Sequence, residues 1–127
     1  MCKSPESIHI LFVDDLPDTV DLFRALFSLA GYKVRVAYSG HEALELAAQL
    51  QPAVICSDLE MPGMSGFELA QELRSMPAHV DSFLIAISGS EESELIEKSL
   101  TAGFNLCLRK PVAFQHLLQH IQRSCSS

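Results

Sequence analysis

The sequence predicts an α/β domain built on a doubly wound, five-stranded parallel sheet. Short runs rich in β-branched and apolar residues alternate five times with longer stretches that have helical spacing of apolar residues. Three of the short runs are almost continuously apolar, as parallel strands are when helices cover both faces of the sheet. The chain of 127 residues has the length of one domain, and 48% of its residues are hydrophobic, which is enough for a compact core.

The five apolar runs are the predicted strands. They lie at residues 8–13, 33–38, 53–57, 83–88 and 105–108. Because a helical stretch follows each of them, the chain is typical of repeated strand–helix units that form a parallel sheet. This alternation favours the flavodoxin-like strand order 2-1-3-4-5.

Local signals mark where the first helix begins and ends. Pro17 suits a first helical turn, where its missing N–H costs no hydrogen bond, and Gly31 can form a C-terminal cap. Apolar residues at helical spacing define the faces that the helices are expected to bury. These residues are Val20, Phe23, Phe27 and Ala30 in the first helix, Ala43, Leu46, Ala47 and Leu50 in the second, Phe67, Leu69, Ala70 and Leu73 in the third, and Phe114, Leu117, Leu118 and Ile121 in the fifth.

Serine and glutamate mark the start of the second and third helices. Ser39 and Glu42 are three residues apart, and so are Ser65 and Glu68. This spacing predicts two capping boxes, in which the serine accepts from the amide of the glutamate and the glutamate accepts from the amide of the serine. The fourth helix is expected to begin near the acidic residues 90–92, because carboxylates stabilise a helix N-terminus.

Charge and composition exclude several classes of protein. The formal net charge is −7, so general attraction to a nucleic-acid backbone is not expected. No apolar run approaches the roughly 18–20 residues of a membrane helix, and the N-terminus lacks the pattern of a secretory signal. The four cysteines form neither a C-x-x-C pair nor a zinc-ligand spacing, so reduced thiols and a cytoplasmic location are expected.

Polar residues follow the carboxyl ends of four predicted strands, the edge at which such sheets bind ligands. Asp14 and Asp15 follow the first strand, Asp58 follows the third, Ser88 ends the fourth and Lys110 follows the fifth. Taken singly, each could be a helix cap, a turn residue or a solvated lysine. Three clustered carboxylates, however, repel one another unless a cation lies among them, and oxygen ligands favour Mg²⁺. A lysine opposite the metal adds a positive charge for a phosphoryl group.

Four short motifs occur in order along the chain. They are Leu-Phe-Val-Asp-Asp at 11–15, Ser-Asp-Leu-Glu-Met-Pro-Gly-Met-Ser-Gly at 57–66, Ile-Ala-Ile-Ser-Gly at 85–89, and Ala-Gly at 102–103 leading to Leu-Arg-Lys-Pro at 108–111. In this order they resemble the receiver domain of two-component response regulators, including the chemotaxis response regulators. The resemblance covers residues 8–122 and leaves tails at 1–7 and 123–127. The last motif is also similar to receivers of hybrid histidine kinases, so we expect either a free-standing receiver or a piece of a longer protein.

The resemblance implies how the site works. Asp58 would accept a phosphoryl group from the phosphohistidine of a histidine kinase or phosphotransfer protein. Asp15 and Asp58 would bind Mg²⁺ directly, Asp14 would bind it through water, and the backbone carbonyl of Glu60 would complete the protein ligands. Lys110 would pair with Asp58 at rest and with the phosphoryl group afterwards. The Glu60 side chain would overhang that group, and its negative charge is expected to alter hydrolysis.

The resemblance also implies how the signal leaves the domain. Ser88 would be the switch hydroxyl that donates to the phosphoryl group and draws the loop 88–91 inward. This would switch the face of helix 4, strand 5 and helix 5 towards a downstream protein or a fused domain. The Lys110–Pro111 bond is expected to be cis. Many receivers have an aromatic residue where this chain has Cys107, so strand 5 is expected to contribute little to switching. A monomer or weak dimer is expected, acting as a substrate of phosphorylation and not as a turnover enzyme.

The residues leave other interpretations open. A degenerate receiver would act as a docking module and would fail to take up phosphate. The pair Asp14 and Asp15 also resembles Mg²⁺-dependent phosphohydrolases, although such an enzyme requires a nucleophilic aspartate at strand 1 and a substrate cap. His116 and His120 are one helical turn apart and could share a metal ion, but without a third ligand a solvated helix face is the simpler interpretation.

Overall fold

Five strands and five α-helices alternate along residues 8–89 and 93–124, which the computed structural model describes. The strands are β1 (His9–Val13), β2 (Lys33–Ala37), β3 (Val54–Asp58), β4 (Phe83–Ser88) and β5 (Leu106–Arg109). The helices are α1 (Pro17–Leu29), α2 (Gly40–Leu50), α3 (Gly66–Arg74), α4 (Ser93–Ala102) and α5 (Phe114–Ser124). All neighbouring strands are parallel, and their order is β2-β1-β3-β4-β5. The predicted fold class and strand order are therefore confirmed.

Helices cover both faces of the sheet, and each face has its own apolar core. On one face, α1 and α5 pack on strand residues that include Phe12 and Ile85. On the other face, α2, α3 and α4 pack on their sequence neighbours Leu11 and Leu84. Side chains of a strand point to alternate faces, so a strand covered on both faces is apolar throughout. Most residues predicted on the buried helix faces are buried, but five are only partly so: Leu46, Leu50, Phe67, Phe114 and Leu118.

Two strands are shifted by one residue from the sequence prediction. β3 extends to Asp58, because this residue still pairs with Ile87 of β4. β5 begins at Leu106 because the Asn105 side chain takes over one strand hydrogen bond, with Leu84 N donating to Asn105 Oδ1 at 2.9 Å. An amide side chain thus replaces a strand carbonyl at the start of β5.

The end of α1 is a glycine cap. Gly31 has φ of 101°, a conformation that L-residues rarely adopt. Its N–H donates to Ser28 O at 3.0 Å, and the N–H of Tyr32 donates to Phe27 O at 3.1 Å. These two bonds form a Schellman motif, as the sequence predicts for this glycine. The expectation that Ala30 is buried is wrong, because Ala30 is the exposed C-cap residue of the helix.

Only one of the two predicted capping boxes is complete. In α3, Ser65 Oγ accepts from Glu68 N at 3.2 Å and Glu68 Oε1 accepts from Ser65 N at 3.3 Å. In α2, Ser39 Oγ accepts from Glu42 N at 3.1 Å. Glu42 Oε1, however, accepts from Tyr38 N at 3.0 Å and not from the amide of the N-cap Ser39. The half of the α2 capping box that the glutamate should form is therefore predicted wrongly. The glutamate still satisfies an amide just before the helix.

Some sequence predictions fall outside the described residues. These are the tail at 1–7, the start of the fourth helix at 90–92 and the last three residues, 125–127. Residues 123 and 124 belong to α5, although the sequence predicts a tail there. Among the described residues, no helix is long and apolar enough to cross a membrane.

Candidate functional site

The carboxyl ends of four strands bring polar side chains to one edge of the sheet. Asp14 follows β1, Asp58 ends β3, Ser88 ends β4 and Lys110 follows β5. Only 4% of Asp14, 8% of Asp58 and 4% of Ser88 is exposed. Asp15 and Lys110 are partly buried beside them. Because parallel strands share an edge, residues far apart in sequence become neighbours, as the sequence analysis anticipates.

The three aspartates form a compact group of oxygen ligands. One carboxylate oxygen from each of Asp14, Asp15 and Asp58 lies within 4.8 Å of the other two. Oxygen-only ligands of this kind suit a hard divalent cation such as Mg²⁺, which is held by one or two carboxylates together with water. The chemistry of the donor set therefore fits the expected ion.

Asp14 has a second role in the loop before α1. Its Oδ1 accepts from the backbone N–H of Leu16 at 3.0 Å. Leu16 is the N-cap residue of α1, and its own side chain makes no capping bond. The simpler sequence interpretation, in which an aspartate supports the start of the helix, therefore applies to one oxygen of Asp14. The other oxygen, Oδ2, faces Lys110.

Lys110 supplies the positive charge at this edge. Its Nζ is 3.4 Å from Asp58 Oδ2 and 3.7 Å from Asp14 Oδ2. These distances exceed the roughly 2.7–2.9 Å of a short charge-assisted hydrogen bond. The ammonium is therefore loosely paired with both carboxylates, and 31% of its side chain is exposed. Such an ammonium can move towards an anion at little cost.

Burial raises the pKa of Asp14 above its ordinary value. The N–H of Leu16 opposes this change, the charge of Asp58 reinforces it, and Lys110 opposes it again. Removing a carboxylate from water disfavours its charged form, so the net effect remains upward. The negative charge on Asp14 is consequently destabilising until a cation compensates it.

The backbone around Asp58 is held on several sides. Ser57 Oγ donates to Asp58 O at 2.9 Å, and Glu60 N is 3.4 Å from Asp58 Oδ1. Gly66 N donates to Leu59 O at 2.9 Å, which brings the start of α3 against the end of β3. A Cβ at Gly66 would lie 2.3 Å from Asp58 O, so only glycine permits this approach. Neither Ser57 nor Gly66 has a role that the sequence alone predicts. A glycine directly after the N-cap serine is the signal that could have revealed the role of Gly66.

Ser88 and Lys110 are connected through the backbone. Lys110 N donates to Ser88 O at 2.7 Å, which continues the pairing of β4 with β5. The Lys110–Pro111 peptide bond is cis. Pairing of β3 with β4 places Ile87 opposite Asp58, so Ser88 is the next residue along the neighbouring strand. Ser88 thus lies on the strand next to Asp58, and Lys110 follows the strand beyond it.

Comparison with known proteins identifies the family. A family model described as "Response regulator receiver domain" matches residues 10–122. The chain belongs to this family. The receiver is 39% identical over 118 residues to an uncharacterized 14.6 kDa protein of Leptolyngbya boryana, with 93% of this chain and 90% of that protein covered. It is 32% identical over 119 residues to the sensor protein EvgS of Escherichia coli K12, with 94% of this chain but only 10% of EvgS covered.

The fold of the receiver is also found among solved structures. The chemotaxis response regulator CheY4 of Vibrio cholerae superposes with a TM-score of 0.86 at 29% identity, covering 92% of this chain and 98% of that one. The resemblance inferred from the four motifs is therefore confirmed at the level of the family. Receiver domains are signalling modules of two-component systems, and they are not classical enzymes.

A cavity of about 620 Å³ adjoins the acidic residues of the receiver. Its lining includes the charged residues Asp14, Asp58 and Lys110. The apolar part of its lining includes Phe12, Phe23, Cys56, Ile87 and Val112. A largely apolar space beside a charged edge can admit a ring that carries a polar group.

Two other sequence candidates lie apart from the carboxylates. Cys107 is partly buried and packs against the core beneath α2, α3 and α4. His116 and His120 lie on α5 and contribute nothing to the acidic edge. Partial burial lowers the pKa of His120, and the charges of His116 and Arg123 lower it further.

Replacing Gly66 with alanine is expected to destabilise the receiver. The new Cβ would clash with the backbone at Asp58, and overpacking of this kind costs about 1–3 kcal/mol. Urea unfolding measures the free energy of unfolding of Gly66→Ala. Gly89→Ala is the matched control, since a Cβ there would meet no atom within 4 Å. A Gly66→Ala variant more stable than the wild type would contradict the close approach, because without a clash alanine favours a helix over glycine by about 1 kcal/mol.

Replacing Asp14 with asparagine is expected to change how stability depends on pH when divalent cations are absent. Because its pKa is raised, folded Asp14 binds its proton more tightly than in the unfolded chain. The stability that this tighter proton binding adds is fully present below the ordinary aspartate pKa, and it is lost as the pH rises through the raised pKa. The wild type should therefore lose stability relative to Asp14→Asn as the pH rises from about 4.

Urea unfolding in the presence of EDTA tests this difference over that pH range. Glu45→Gln is a suitable control, because Glu45 is exposed on α2. If the free energy of unfolding varies with pH in the same way for the wild type and Asp14→Asn, the charge of Asp14 does not destabilise the folded receiver.

Proposed function

We propose that the receiver accepts a phosphoryl group on Asp58 from the phosphohistidine of a histidine kinase or a phosphotransfer protein. The observation that carries this proposal is the position of Asp58. Its carboxylate is nearly buried, two further carboxylates lie within 4.8 Å on one side, and the Lys110 ammonium lies 3.4 Å away. Phosphoryl transfer requires positioning and neutralisation of charge more than covalent assistance, and this arrangement supplies both.

The same residues would hold the metal ion. Asp15 and Asp58 would bind Mg²⁺ directly, Asp14 would contribute mainly through water, and the backbone carbonyl of Glu60 would complete the protein ligands. When bound, Mg²⁺ neutralises the charge of the carboxylates and of the phosphoryl oxygens. Burial raises the pKa of Asp14, so a nearby cation would favour its charged form.

The transfer itself is a displacement at phosphorus. An oxygen of Asp58 forms a bond to phosphorus while the bond from phosphorus to the donor imidazole nitrogen breaks. The imidazole leaves with the bonding electron pair, and the product is an acyl phosphate. Lys110 moves with the phosphoryl oxygens. Its loose pairing with two carboxylates leaves its ammonium group able to make this movement.

The signal would leave through the neighbouring strands. Ser88 is buried on the strand next to Asp58, so its hydroxyl can reach a phosphoryl oxygen after a small movement of the loop that follows. Residues 90–92 of that loop lie outside the described part of the chain. The movement would switch the face of α4, β5 and α5 towards a downstream protein or a fused domain. Cys107 has no ring to rotate, so the loop and α4 would carry most of the change.

Phosphorylation of Asp58→Asn tests the proposal. With acetyl phosphate and Mg²⁺, or with phosphorylated kinase, the wild type should gain the mass of one phosphoryl group, and Asp58→Asn should gain none. Asp81→Asn removes an exposed carboxylate and should behave like the wild type. Phosphorylation of Asp58→Asn to the wild-type extent, or equal phosphorylation in EDTA, would contradict the assigned acceptor or the assigned metal. No labelling of the wild type by either donor would favour a docking module.

Replacing Glu60 with glutamine should alter both uptake and loss of the phosphoryl group. Glu60 is exposed two residues after Asp58, and unit charges about 4 Å apart in water interact by about 1 kcal/mol. Removing its charge should speed labelling by the anionic donor acetyl phosphate about two- to fivefold, and should change the lifetime of the acyl phosphate. Glu72→Gln, an exposed glutamate on α3, is the control. Rates that match those of the wild type would exclude a role for the Glu60 side chain.

A further inference from the structure

Two histidines face each other on the outer side of α5. Leu117 and Ile121, the residues that follow them, point into the core shared with α1, about 100° away around the helix. His116 is exposed and His120 is only partly buried, so the two imidazoles remain accessible to solvent. Residues one helical turn apart are neighbours on a helix surface, and α5 therefore presents both rings at one place.

The distance between the rings matches a shared metal ligand set. His116 Nε2 and His120 Nε2 are 3.2 Å apart. Two nitrogens bound to one ion at about 2.0–2.1 Å, at an angle of about 90–110°, are separated by about 2.9–3.4 Å. The ring centroids are 4.8 Å apart and the planes are inclined by 51°. Two imidazoles that met end to end would have their centroids farther apart, so the two rings meet at an angle and not along one line.

Imidazole selects a different class of ion from the aspartate group. Neutral imidazole nitrogens suit Cu²⁺, Ni²⁺ and Zn²⁺, whereas Mg²⁺ prefers oxygen ligands. Two protein nitrogens leave the other coordination positions to water, so moderate affinity is expected. We propose that His116 and His120 form a bidentate site for a divalent transition-metal ion on the outer face of α5. The site is independent of the proposed phosphorylation at Asp58, and a bound ion would clamp one turn of α5.

Calorimetric titration with Ni²⁺ in excess Mg²⁺ tests this site in the intact chain. The wild type should show a binding step that either His116→Ala or His120→Ala weakens at least about tenfold, because each removes the chelate. His41→Ala is the control, since it removes an exposed histidine from α2 and should retain the step. Circular dichroism verifies that each variant is folded, and His120→Gln provides a polar replacement.

A second measurement locates the ion. Ni²⁺ should raise the unfolding temperature of the wild type and of His41→Ala, and should raise it less in the two α5 variants, because an ion bound only to the folded helix stabilises it. Paramagnetic broadening of amide signals should centre on α5. If Ni²⁺ binds equally to all variants, or if broadening centres on the aspartates alone, the proposal is overturned. If no step is found, the contact is a hydrogen bond only and the proposal is overturned as well.

Discussion

Electrostatic repulsion among three aspartates is the constraint on which this edge of the sheet depends. One oxygen from each of Asp14, Asp15 and Asp58 falls within 4.8 Å of the others, and two of the three residues are nearly buried. Like charges that are so close and so poorly solvated destabilise a folded protein unless positive charge lies nearby. Lys110 provides part of that charge at 3.4 Å and 3.7 Å. The remaining imbalance favours a cation among the carboxylates, as the proposed function requires.

The rest of the fold keeps these charges in place. Each strand that ends at the site is anchored in a core on both faces of the sheet, with Phe12 on one side and Leu11 on the other as examples from β1. A strand packed in this way cannot rotate or slide without disrupting two cores. The start of α3 adds a third constraint, because Gly66 brings it into contact with Asp58 O. The strand ends that carry Asp14 and Asp58 therefore cannot move apart to relieve the repulsion.

The sequence predicted the parts of this arrangement that depend on local pattern. Alternating apolar runs predicted the sheet and its order, and the common edge of parallel strands brought the acidic residues and Lys110 together. It did not predict contacts that depend on how closely two distant elements approach. The amide of Asn105 replaces a strand carbonyl, and Gly66 is required by the backbone of Asp58. Each of these follows from tertiary geometry, which spacing along the chain does not encode.

Asp58 is the last residue of β3 and pairs with Ile87 of β4. This pairing has a consequence for the rate of the proposed transfer. The backbone of this residue is ordered when the sheet folds, so no further conformational entropy is lost there when a donor arrives. A preorganised carboxylate offers every donor the same starting geometry. Under the proposed function, differences in transfer rate between phosphohistidine donors should then reflect how well each donor docks, and not how far the backbone of the acceptor must rearrange.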